Sequence, residues 1–514
     1  MALAPLALST SLPADVRRRR QEIHRSVSTR DLEDAELARW RLRPGNPYGR
    51  IFAQLVVNEF AAPRTIAAFQ DQRLRQLVAV AFERTPYYRD RIAALGLDRL
   101  TFGGQIDLPR LPILTKQEVI DNFDALHAQG LPEDQRAAVM TTSSGTTGRP
   151  VRVAMSRPAD VMFGILAHRR RRWARLDPMG TVCAIKIASH FPRQHGALMP
   201  DGQVWRADRW QSLGAHFETG PAYGFNVWTP HEQQVAWLKQ IRPDYLETYS
   251  TTMEELAYAN DCATPSDTIK ALFSSAISTA PSTRRLVERI YGAPLHDAYG
   301  LNEIGAVANQ CEAGAYHVHV EHCLAEVVDA DGAPCPPGQL GRLLVTGLQN
   351  LAMPLLRYDT GDVAMALEGP CACGRTLPAL AAIGGRFRRF AYLPDGTRER
   401  HNALLGAIEV MPMELLKPLR QYQLYQCWDR GFDLRVRSVG GMSADFCERL
   451  QRVWAGIPGA ADTPLRIVEV DEIKPSTSGK QLEFDSDFYP DPDADIDPRR
   501  YRAAFDQVAR EGQG

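Results

Sequence analysis

Residues 142 to 150 read Thr142-Ser143-Ser144-Gly145-Thr146-Thr147-Gly148-Arg149-Pro150 and carry the strongest signal in the chain. The five hydroxyl side chains and two glycines predict a loop that wraps a polyphosphate. Glycines let the backbone approach closely, and the N–H and O–H groups donate to anionic oxygens. The stretch is not a Walker loop, because no Gly-Lys-Ser/Thr ending follows. A flexible Ser/Thr/Gly linker is the alternative interpretation, and this stretch alone leaves both open.

Length and composition narrow the class of protein. At 514 residues the chain is too long for one ordinary hydrophobic core, so we expect two or more domains. The formal net charge of -1 argues against a nucleic acid as partner. No apolar run is long enough for a membrane span, and the order of residues at the N-terminus is wrong for a secretory signal. Nine cysteines at irregular spacing do not suggest a disulfide framework, so we expect a cytoplasmic protein with buried, reactive or metal-bound cysteines.

The chain divides into three parts. Residues 1–48, rich in arginine and polar residues, are interpreted as an N-terminal leader packed on the domain that follows. Residues 49–385 alternate helical patterns with short apolar runs such as Thr181–Ile185 and Gly341–Val345, which indicates α/β layers. Residues 386–514 follow a glycine- and arginine-rich junction and have the pattern of a small α+β domain.

Local patterns predict individual elements. Apolar residues at three- and four-residue spacing predict helices over Leu74–Leu95 and Pro230–Ile241. Near the C-terminus, Tyr422–Cys427 and Phe432–Val436 are typical of strands, and Ser443–Trp454 is typical of a helix.

Three further motifs follow the first one along the chain. Asp297–Glu303 contains a Tyr-Gly pair with an acid three residues after the glycine, Arg357–Asp362 contains Thr-Gly-Asp, and Pro475–Lys480 ends in Ser-Gly-Lys. Each motif alone also fits an ordinary feature: a strand-to-turn corner, a solvated turn or a surface lysine. Their order and spacing, with Gly385-Arg386 between the last two, carry the information.

This succession resembles the adenylate-forming superfamily, which includes acyl-CoA synthetases, peptide-synthetase adenylation domains and luciferases. The resemblance spans roughly residues 70–490 and is strongest to the phenylacetate–CoA ligase branch, through Ser143–Gly148, Tyr299–Glu303 and Cys371–Pro378. It implies an α/β fold in which a large multi-subdomain N-terminal AMP-binding domain is followed by a small, mobile α+β C-terminal domain.

The resemblance also implies a reaction with two halves. In the first half, a carboxylic acid attacks ATP in the presence of Mg²⁺ to give an acyl adenylate and pyrophosphate. In the second half, a thiol takes the acyl group, and coenzyme A is the expected thiol. In the first half of the reaction two anions, the carboxylate and the α-phosphate, must meet. Positioning and positive charge therefore supply most of the catalysis. No general base is needed, since the attacking carboxylate is already ionised.

The family's site residues are carried over by position. The phosphate-binding residues would be Ser143, Ser144, Gly145, Thr146, Thr147 and Gly148. Tyr299, followed by Gly300, would stack on adenine, and Asn302 stands where the family usually has Thr or Ser and can still hydrogen-bond. Asp362 would accept the ribose hydroxyls, and Arg386 would contact ribose or position the small domain.

Three residues are expected to act on the reacting groups. Glu303 would coordinate Mg²⁺, a hard cation that prefers carboxylate and phosphate oxygens. Lys480 would bridge the α-phosphate and the substrate carboxylate with its compact ammonium group. Thr146 would contribute from the phosphate loop.

Four residues form a separate candidate metal site: Cys311, His317, Cys371 and Cys373. Three thiolates and one imidazole make a closed tetrahedral Zn²⁺ site of the structural kind. Some members of the phenylacetate–CoA ligase branch have a similar arrangement. Buried thiols beside a surface histidine are the alternative, and His319 and His322 are also candidates for the imidazole ligand.

The acceptor and the acid are left open by the sequence. After Gly385-Arg386 the chain departs from the branch, so an acyl carrier protein or an amine remains an alternative acceptor to coenzyme A, and a non-catalytic nucleotide-binding relative is a further alternative. The family's acyl pocket corresponds to residues 215–305, where aromatic residues such as Tyr249 are consistent with an aryl or flat apolar acid. No lysine or arginine stands out there as partner for a second carboxylate.

The five arginines within 168–175 are interpreted as a solvated helix face. The oligomeric state is left open by the sequence.

Overall fold

A computed structural model describes most of the chain. The described residues are 39–97, 100–142, 151–192, 198–275, 279, 281–384, 404, 407–408, 411–427, 429, 431–457, 463–473 and 484–486. Four of the predictions lie outside these ranges: the phosphate loop at Ser143–Gly148, Arg386, Lys480, and residues 1–38 of the leader.

Within the described residues the strands, in chain order, are β1 Ala137–Thr142, β2 Arg152–Ser156, β3 Val182–Lys186, β4 Val204–Ala207, β5 Ala222–Asn226, β6 Tyr245–Glu247, β7 Ala271–Phe273, β8 Leu295–His296, β9 Ala298–Leu301, β10 Gly305–Gln310, β11 Tyr316–Val318, β12 Cys323–Val328, β13 Leu340–Gly347, β14 Tyr358–Ala366, β15 Ala379–Gly384, β16 Leu419–Gln426, β17 Phe432–Ser438, β18 Leu465–Glu469 and β19 Phe484–Ser486.

The α-helices of the described residues are α1 Gly49–Asn58, α2 Pro63–Arg84, α3 Pro86–Ala93, α4 Lys116–Asp121, α5 Arg157–Trp173, α6 His231–Ile241, α7 Ser250–Ala259, α8 Pro281–Tyr291, α9 Met413–Leu416 and α10 Ala444–Ala455. Short 3₁₀ turns occur at Leu108–Arg110, Glu133–Gln135, Ala188–His190 and Ser212–Ala215. None of these helices combines the length and the apolar character that crossing a membrane requires.

The chain falls into two compact units, each built from several segments. Unit 1 comprises Met1–Pro178, Gln211–Thr219 and Ala298–Gly384. Unit 2 comprises Met179–Trp210, Gly220–Asp297 and Gly385–Gly514.

Unit 1 is organised around an antiparallel sheet of seven strands in the order β12-β13-β14-β15-β11-β10-β9. The apolar faces of α2 and α3 pack in one core with residues of this sheet, for example Leu74, Leu77, Val307 and Val345, all of them fully buried. A separate two-stranded sheet joins β1 to β2, with Thr142 opposite Arg152. The predicted phosphate loop is therefore the connection between these two paired strands.

Unit 2 contains a sheet of six strands in the order β4-β5-β3-β6-β7-β8, and all of its pairs are parallel except β4 with β5. Parallel strands are buried on both faces when helices cover them. Fully buried residues of the strands, such as Ile185 and Phe225, share one core with α7 residues such as Met253 and Leu256.

A second sheet of unit 2, in the order β18-β17-β16-β19, comes from the C-terminal part of the chain. Its residues Leu424 and Phe432, and Phe446 of α10, belong to the same hydrophobic core as α7. The helix α7 contacts β16 directly, and nine of its ten residues are buried. A division of the chain at residue 385 into a large domain and a small mobile domain stays a prediction.

The structure confirms an α/β fold and most of the locally predicted elements. The expected strands at 181–185 and 341–345 correspond to β3 and β13, and the two C-terminal strands and the helix after Ser443 form as β16, β17 and α10. The helix predicted over 74–95 was wrong in one respect, because it is two helices. Thr85 has an extended backbone (φ -112°, ψ 106°), as expected for the residue before Pro86, which begins α3.

Candidate active site and metal centre

The Tyr-Gly-x-x-Glu motif forms one β-hairpin. Strands β9 and β10 pair antiparallel, with Gly300 opposite Ala306. A Cβ atom on Gly300 would lie 2.9 Å from the backbone oxygen of Gly305, so the close approach of the two strands requires glycine there. The hairpin holds Tyr299 at its start, while Gly300 and Asn302 are exposed and Glu303 is 2% exposed.

A hydrogen bond joins the motif at Asp297–Glu303 to the motif at Arg357–Asp362. The hydroxyl of Tyr299 donates to Oδ2 of Asp362 at 2.6 Å. Asp362 lies on β14 and is 5% exposed, and its backbone N–H donates to the hydroxyl of Thr360 at 3.0 Å. The structure thus brings together the two residues assigned to adenine and to ribose, which lie 63 positions apart in the chain.

Glu303 lies beside the same strand. The hydroxyl of Tyr358 donates to Oε1 of Glu303 at 3.2 Å, whereas Oε2 is buried and has no hydrogen-bond partner among the described residues. A buried carboxylate oxygen without a partner is costly, because the group has lost its water. A cation with oxygen ligands such as Mg²⁺ fits this oxygen.

The strand that follows the phosphate loop is held by one side chain. The amide oxygen of Asn350 accepts from the backbone N–H of Ser156 at 3.0 Å, and its nitrogen donates to the backbone oxygen of Ala154 at 3.0 Å. Asn350 is 8% exposed, and its two contacts are to the middle and to the last residue of β2. Sequence reasoning missed this residue, since an asparagine in a loop between strands carries no motif.

The four predicted metal ligands come together. One ligand atom from each of Cys311, His317, Cys371 and Cys373 lies within 4.8 Å of the others, and all four residues are buried. The sulfurs of Cys311 and Cys371 are 3.7 Å apart, and Nε2 of His317 is 3.2 Å from the sulfur of Cys373. Two sulfurs about 2.3 Å from a tetrahedral Zn²⁺ are separated by roughly 3.8 Å, so the spacing fits this metal.

The tautomer of His317 is also suitable for a metal. Its Nδ1 lies 3.0 Å from the backbone oxygen of Leu377, so Nδ1–H donates there and Nε2 is left with a lone pair. The other two candidate histidines have different partners. Nδ1 of His319 accepts from Arg169 at 3.0 Å, and Nε2–H of His322 donates to the backbone oxygen of Ile304 at 2.7 Å. Among the three histidines, His317 belongs to the cluster.

A buried ionic network lies in the same unit, and it corrects the expectation of a solvated arginine face on α5. Arg169 is fully buried, and Arg172 is 7% exposed. Glu59, 1% exposed, forms ion pairs with Arg169 at 3.3 Å and with Arg172, while Glu321 forms two hydrogen bonds with Arg169 at 2.8 and 3.0 Å. The prediction failed because periodicity cannot show that distant acids, 113 and 152 positions away, neutralise these arginines inside the protein.

Comparison with known proteins identifies the family. The model of the family described as AMP-binding enzyme matches residues 94–353, a range that includes the phosphate loop and Tyr299–Glu303. The chain belongs to the AMP-binding enzyme family.

Curated relatives of this AMP-binding enzyme are phenylacetate–coenzyme A ligases. The protein of Thermus thermophilus is 31% identical over 330 residues, which cover 62% of this chain and 70% of the relative. The protein of Escherichia coli is 28% identical over 337 residues, covering 64% of this chain and 72% of the relative. The chain is therefore similar to the phenylacetate–CoA ligase branch, as the motifs predicted.

Solved structures show the same fold. A crystal structure of 2-hydroxyisobutyryl-CoA ligase in the postadenylation state aligns with a TM-score of 0.63 at 19% identity, over 88% of this chain and 94% of the other. The thioesterification state of that ligase aligns with a TM-score of 0.54 at 20% identity, covering 88% and 94%. Adenylate-forming ligases thus share the fold of this AMP-binding enzyme.

Unit 2 of this AMP-binding enzyme contains a buried lysine beside Tyr249. Lys186, the last residue of β3, is 8% exposed, and its ammonium nitrogen lies 3.4 Å from Oγ of Ser275, 3.8 Å from Oε1 of Glu247 and 5.2 Å from the ring centre of Tyr249. Burial also raises the pKa of Tyr249 to about 12. A buried lysine therefore lies beside an aromatic residue expected near the acyl pocket. Sequence reasoning missed it because Lys186 precedes the 215–305 range.

Proposed function

We propose that this protein is an ATP-dependent carboxylic acid ligase that forms an acyl adenylate and pyrophosphate, then transfers the acyl group to the thiol of coenzyme A. The observation that carries the proposal is the hydrogen bond between Tyr299 and Asp362, which joins the two motifs to which adenine and ribose binding are assigned. Membership of the AMP-binding enzyme family supports the first half of the reaction, and similarity to phenylacetate–CoA ligases supports coenzyme A as acceptor.

Each proposed role follows from the environment of its residue. Asp362 accepts from Tyr299 through one carboxylate oxygen and would accept the ribose hydroxyls as well, since a carboxylate has about four lone-pair sites. The ring of Tyr299 would face adenine. Glu303 would offer its buried Oε2 to Mg²⁺, which neutralises phosphate charge when it is bound.

The remaining roles belong to residues outside the described ranges. The β- and γ-phosphates would bind to Ser143–Gly148, and Thr146 would act on the reacting phosphates. The paired strands β1 and β2 precede and follow this loop in the chain. Lys480 would bridge the α-phosphate and the attacking carboxylate, and Arg386 would contact ribose. Removal of one donor to the developing charge typically lowers kcat by about 10²–10³-fold.

The acid is proposed to be an aryl or other flat apolar carboxylic acid. Tyr249 and partly buried Tyr223 supply aromatic surface in unit 2, and the similar ligases are named for phenylacetate. An acyl carrier protein or an amine as acceptor is the alternative that the experiment must separate from coenzyme A. A cytoplasmic location stays a prediction.

The first test is ATP–pyrophosphate exchange over a panel of aryl, aliphatic and amino acids. We expect exchange with an aryl acid, lost in Lys480→Ala and reduced by at least about 10²-fold in Glu303→Gln. Asp329→Asn, a change in a turn between β12 and β13, is the matched control and should retain exchange. Coenzyme A added to the same mixture should give an acyl thioester. Exchange without thioester would select a carrier protein or an amine, and no exchange from folded protein with any acid would refute the proposal.

We also propose that Cys311, His317, Cys371 and Cys373 hold a structural Zn²⁺. The fit rests on the buried donor set, the spacing of its atoms and the hydrogen bond that orients His317. The metal would tie the turn at Cys371–Gly374 to the β10–β11 hairpin, and all four ligands are then taken by protein. A closed site of this kind stabilises the fold and does not bind substrate.

A further inference from the structure

A small cavity adjoins the proposed Mg²⁺ ligand in unit 1. It measures about 10 Å³, and its lining includes Glu303, Ile304 and His322. A cavity needs roughly 10–15 Å³ to hold one water molecule, and the water needs two to four polar partners. The volume therefore fits a single water molecule.

Two polar atoms of the lining residues call for such a partner. Oε2 of Glu303 and Nδ1 of His322 are both buried and have no hydrogen-bond partner among the described residues. The residues are 2% and 1% exposed, so bulk solvent does not satisfy these atoms. A buried polar atom left without a partner is destabilising, so a group that satisfies both atoms is strongly favoured.

Both atoms are hydrogen-bond acceptors, so the group that satisfies them must be a hydrogen-bond donor. Nε2 of His322 lies 2.7 Å from the backbone oxygen of Ile304, and a carbonyl only accepts, so Nε2 carries the proton. Burial lowers the pKa of His322, and the neutral ring then has a lone pair on Nδ1. Oε2 of Glu303 is a carboxylate oxygen and also accepts. A water molecule has two O–H donors and matches two acceptors.

We propose that His322 is a positioning residue for Glu303, acting through one water molecule in this cavity that donates to Nδ1 of His322 and to Oε2 of Glu303. His322 also holds the turn after Glu303 directly, through its bond to Ile304. Tyr358 donates to the other carboxylate oxygen, so both oxygens have fixed orientations while lone pairs remain for Mg²⁺. Hydrogen bonds of this kind to a metal ligand typically change metal affinity by about 10–100-fold.

The inference rests on the proposed role of Glu303, and two substitutions of His322 separate its two contacts. In His322→Gln the amide nitrogen replaces Nε2, so the bond to Ile304 is retained and the acceptor in the cavity is lost. In His322→Asn the amide replaces Nδ1, so the acceptor is retained and the bond to Ile304 is lost. His168→Gln, another buried histidine of unit 1 outside the cavity lining, is the matched control.

The measurement is the Mg²⁺ concentration that half-saturates binding of a non-hydrolysable ATP analogue, followed by calorimetry, together with the Tm of each variant. We expect His322→Gln to raise that concentration about tenfold with little change in Tm. His322→Asn should lower Tm more and shift the Mg²⁺ dependence less, and His168→Gln should leave the Mg²⁺ dependence unchanged.

Two results would overturn parts of the interpretation separately. If Glu303→Gln shifts the Mg²⁺ dependence and His322→Gln does not, the role of His322 is wrong while the proposed function stands. If neither variant shifts it, the assignment of Glu303 is itself wrong. A crystal structure that resolves ordered water should also show one molecule bonded to both side chains, and density without it would contradict the proposal.

Discussion

The hydroxyl of Tyr299 donates to the carboxylate of Asp362 at 2.6 Å, across 63 positions of the sequence. The bond joins β9, at the edge of the seven-stranded sheet, to β14 in its interior. It orients the aromatic ring and the carboxylate with respect to each other before a nucleotide arrives. Preorganisation of this kind lowers the cost of ordering side chains on binding.

Removal of the hydroxyl should therefore weaken nucleotide binding without abolishing it. We expect Tyr299→Phe to raise the Kd for ATP about 5- to 10-fold, since one hydrogen bond to a charged group contributes about 1.5–3 kcal/mol and part of it is regained from water. Asp362→Ala should raise Kd much more, because the proposed ribose contacts are lost too. Equilibrium dialysis with labelled ATP measures both, and equal losses would contradict the division of roles.

Zinc should be present at one ion per chain and should stabilise unit 1. Cys371→Ser should lose the metal, lower Tm by several degrees and leave the residual exchange activity per folded molecule unchanged, because the site is structural. Elemental analysis and thermal unfolding check this expectation. Cys447→Ser, at a partly buried cysteine of α10, is the control and should retain the metal. Full stability of metal-free protein would refute the site.

The buried carboxylate of Glu59 should matter far more to stability than an exposed one. Glu59 faces Arg169 and Arg172, so Glu59→Gln leaves buried positive charge uncompensated and should cost about 3–5 kcal/mol in the free energy of unfolding. Asp445→Asn breaks an exposed pair with Arg449 at 3.0 Å and should cost under about 1 kcal/mol. Urea unfolding compares the two, and similar losses would show that the network contributes little.

Two adjacent acids of α7 predict a dependence of stability on pH. Burial raises the pKa of Glu254 to about 7 and that of Glu255 to about 8. Their hydrogen bonds come partly from the C-terminal sheet, with Tyr422 donating to Glu254 at 3.1 Å and Gln421 donating to Glu255 at 2.8 Å. An unfolded glutamate has a pKa of about 4.3, so the folded state holds the extra protons and the free energy of unfolding falls as pH rises towards 8.

Glu255→Gln should remove the part of this dependence that belongs to Glu255. The free energy of unfolding of the variant minus that of wild type should increase by on the order of 2 kcal/mol between pH 6 and pH 8.5. Nε2 of His231 lies 3.4 Å from Oε2 of Glu255, and burial lowers the pKa of His231 to about 4, so this ring is neutral in the folded protein between pH 6 and pH 8.5. The exposed Glu448→Gln should run parallel to wild type. A parallel curve for Glu255→Gln would contradict the buried, protonated state.

Lys186 predicts a preference for an acid that carries a hydrogen-bond acceptor. Its ammonium lies at the carboxyl end of parallel strands, where ligands of such sheets bind, beside Ser275 and Tyr249. Lys186→Met, of similar length without the charge, should lower kcat/KM for a hydroxylated aryl acid about tenfold or more and leave the unsubstituted acid within about threefold. Lys270→Met, at an exposed lysine, is the control. Equal effects on both acids would assign Lys186 a structural role.

The family, the order of the motifs and the three cysteines of the candidate metal site followed from the sequence, because glycine, hydroxyl, acid and cysteine patterns are local and their chemistry is specific. The strands β3, β13, β16 and β17 followed from apolar runs for the same reason. Only the tertiary structure decided which distant groups meet. The arginines of α5 are buried because Glu59 and Glu321 neutralise them, and His317 rather than His319 or His322 joins the cysteines because each ring has a different backbone or arginine partner. The cavity beside Glu303 likewise arises from residues of three separate segments, and periodicity within one segment carries no information about such contacts.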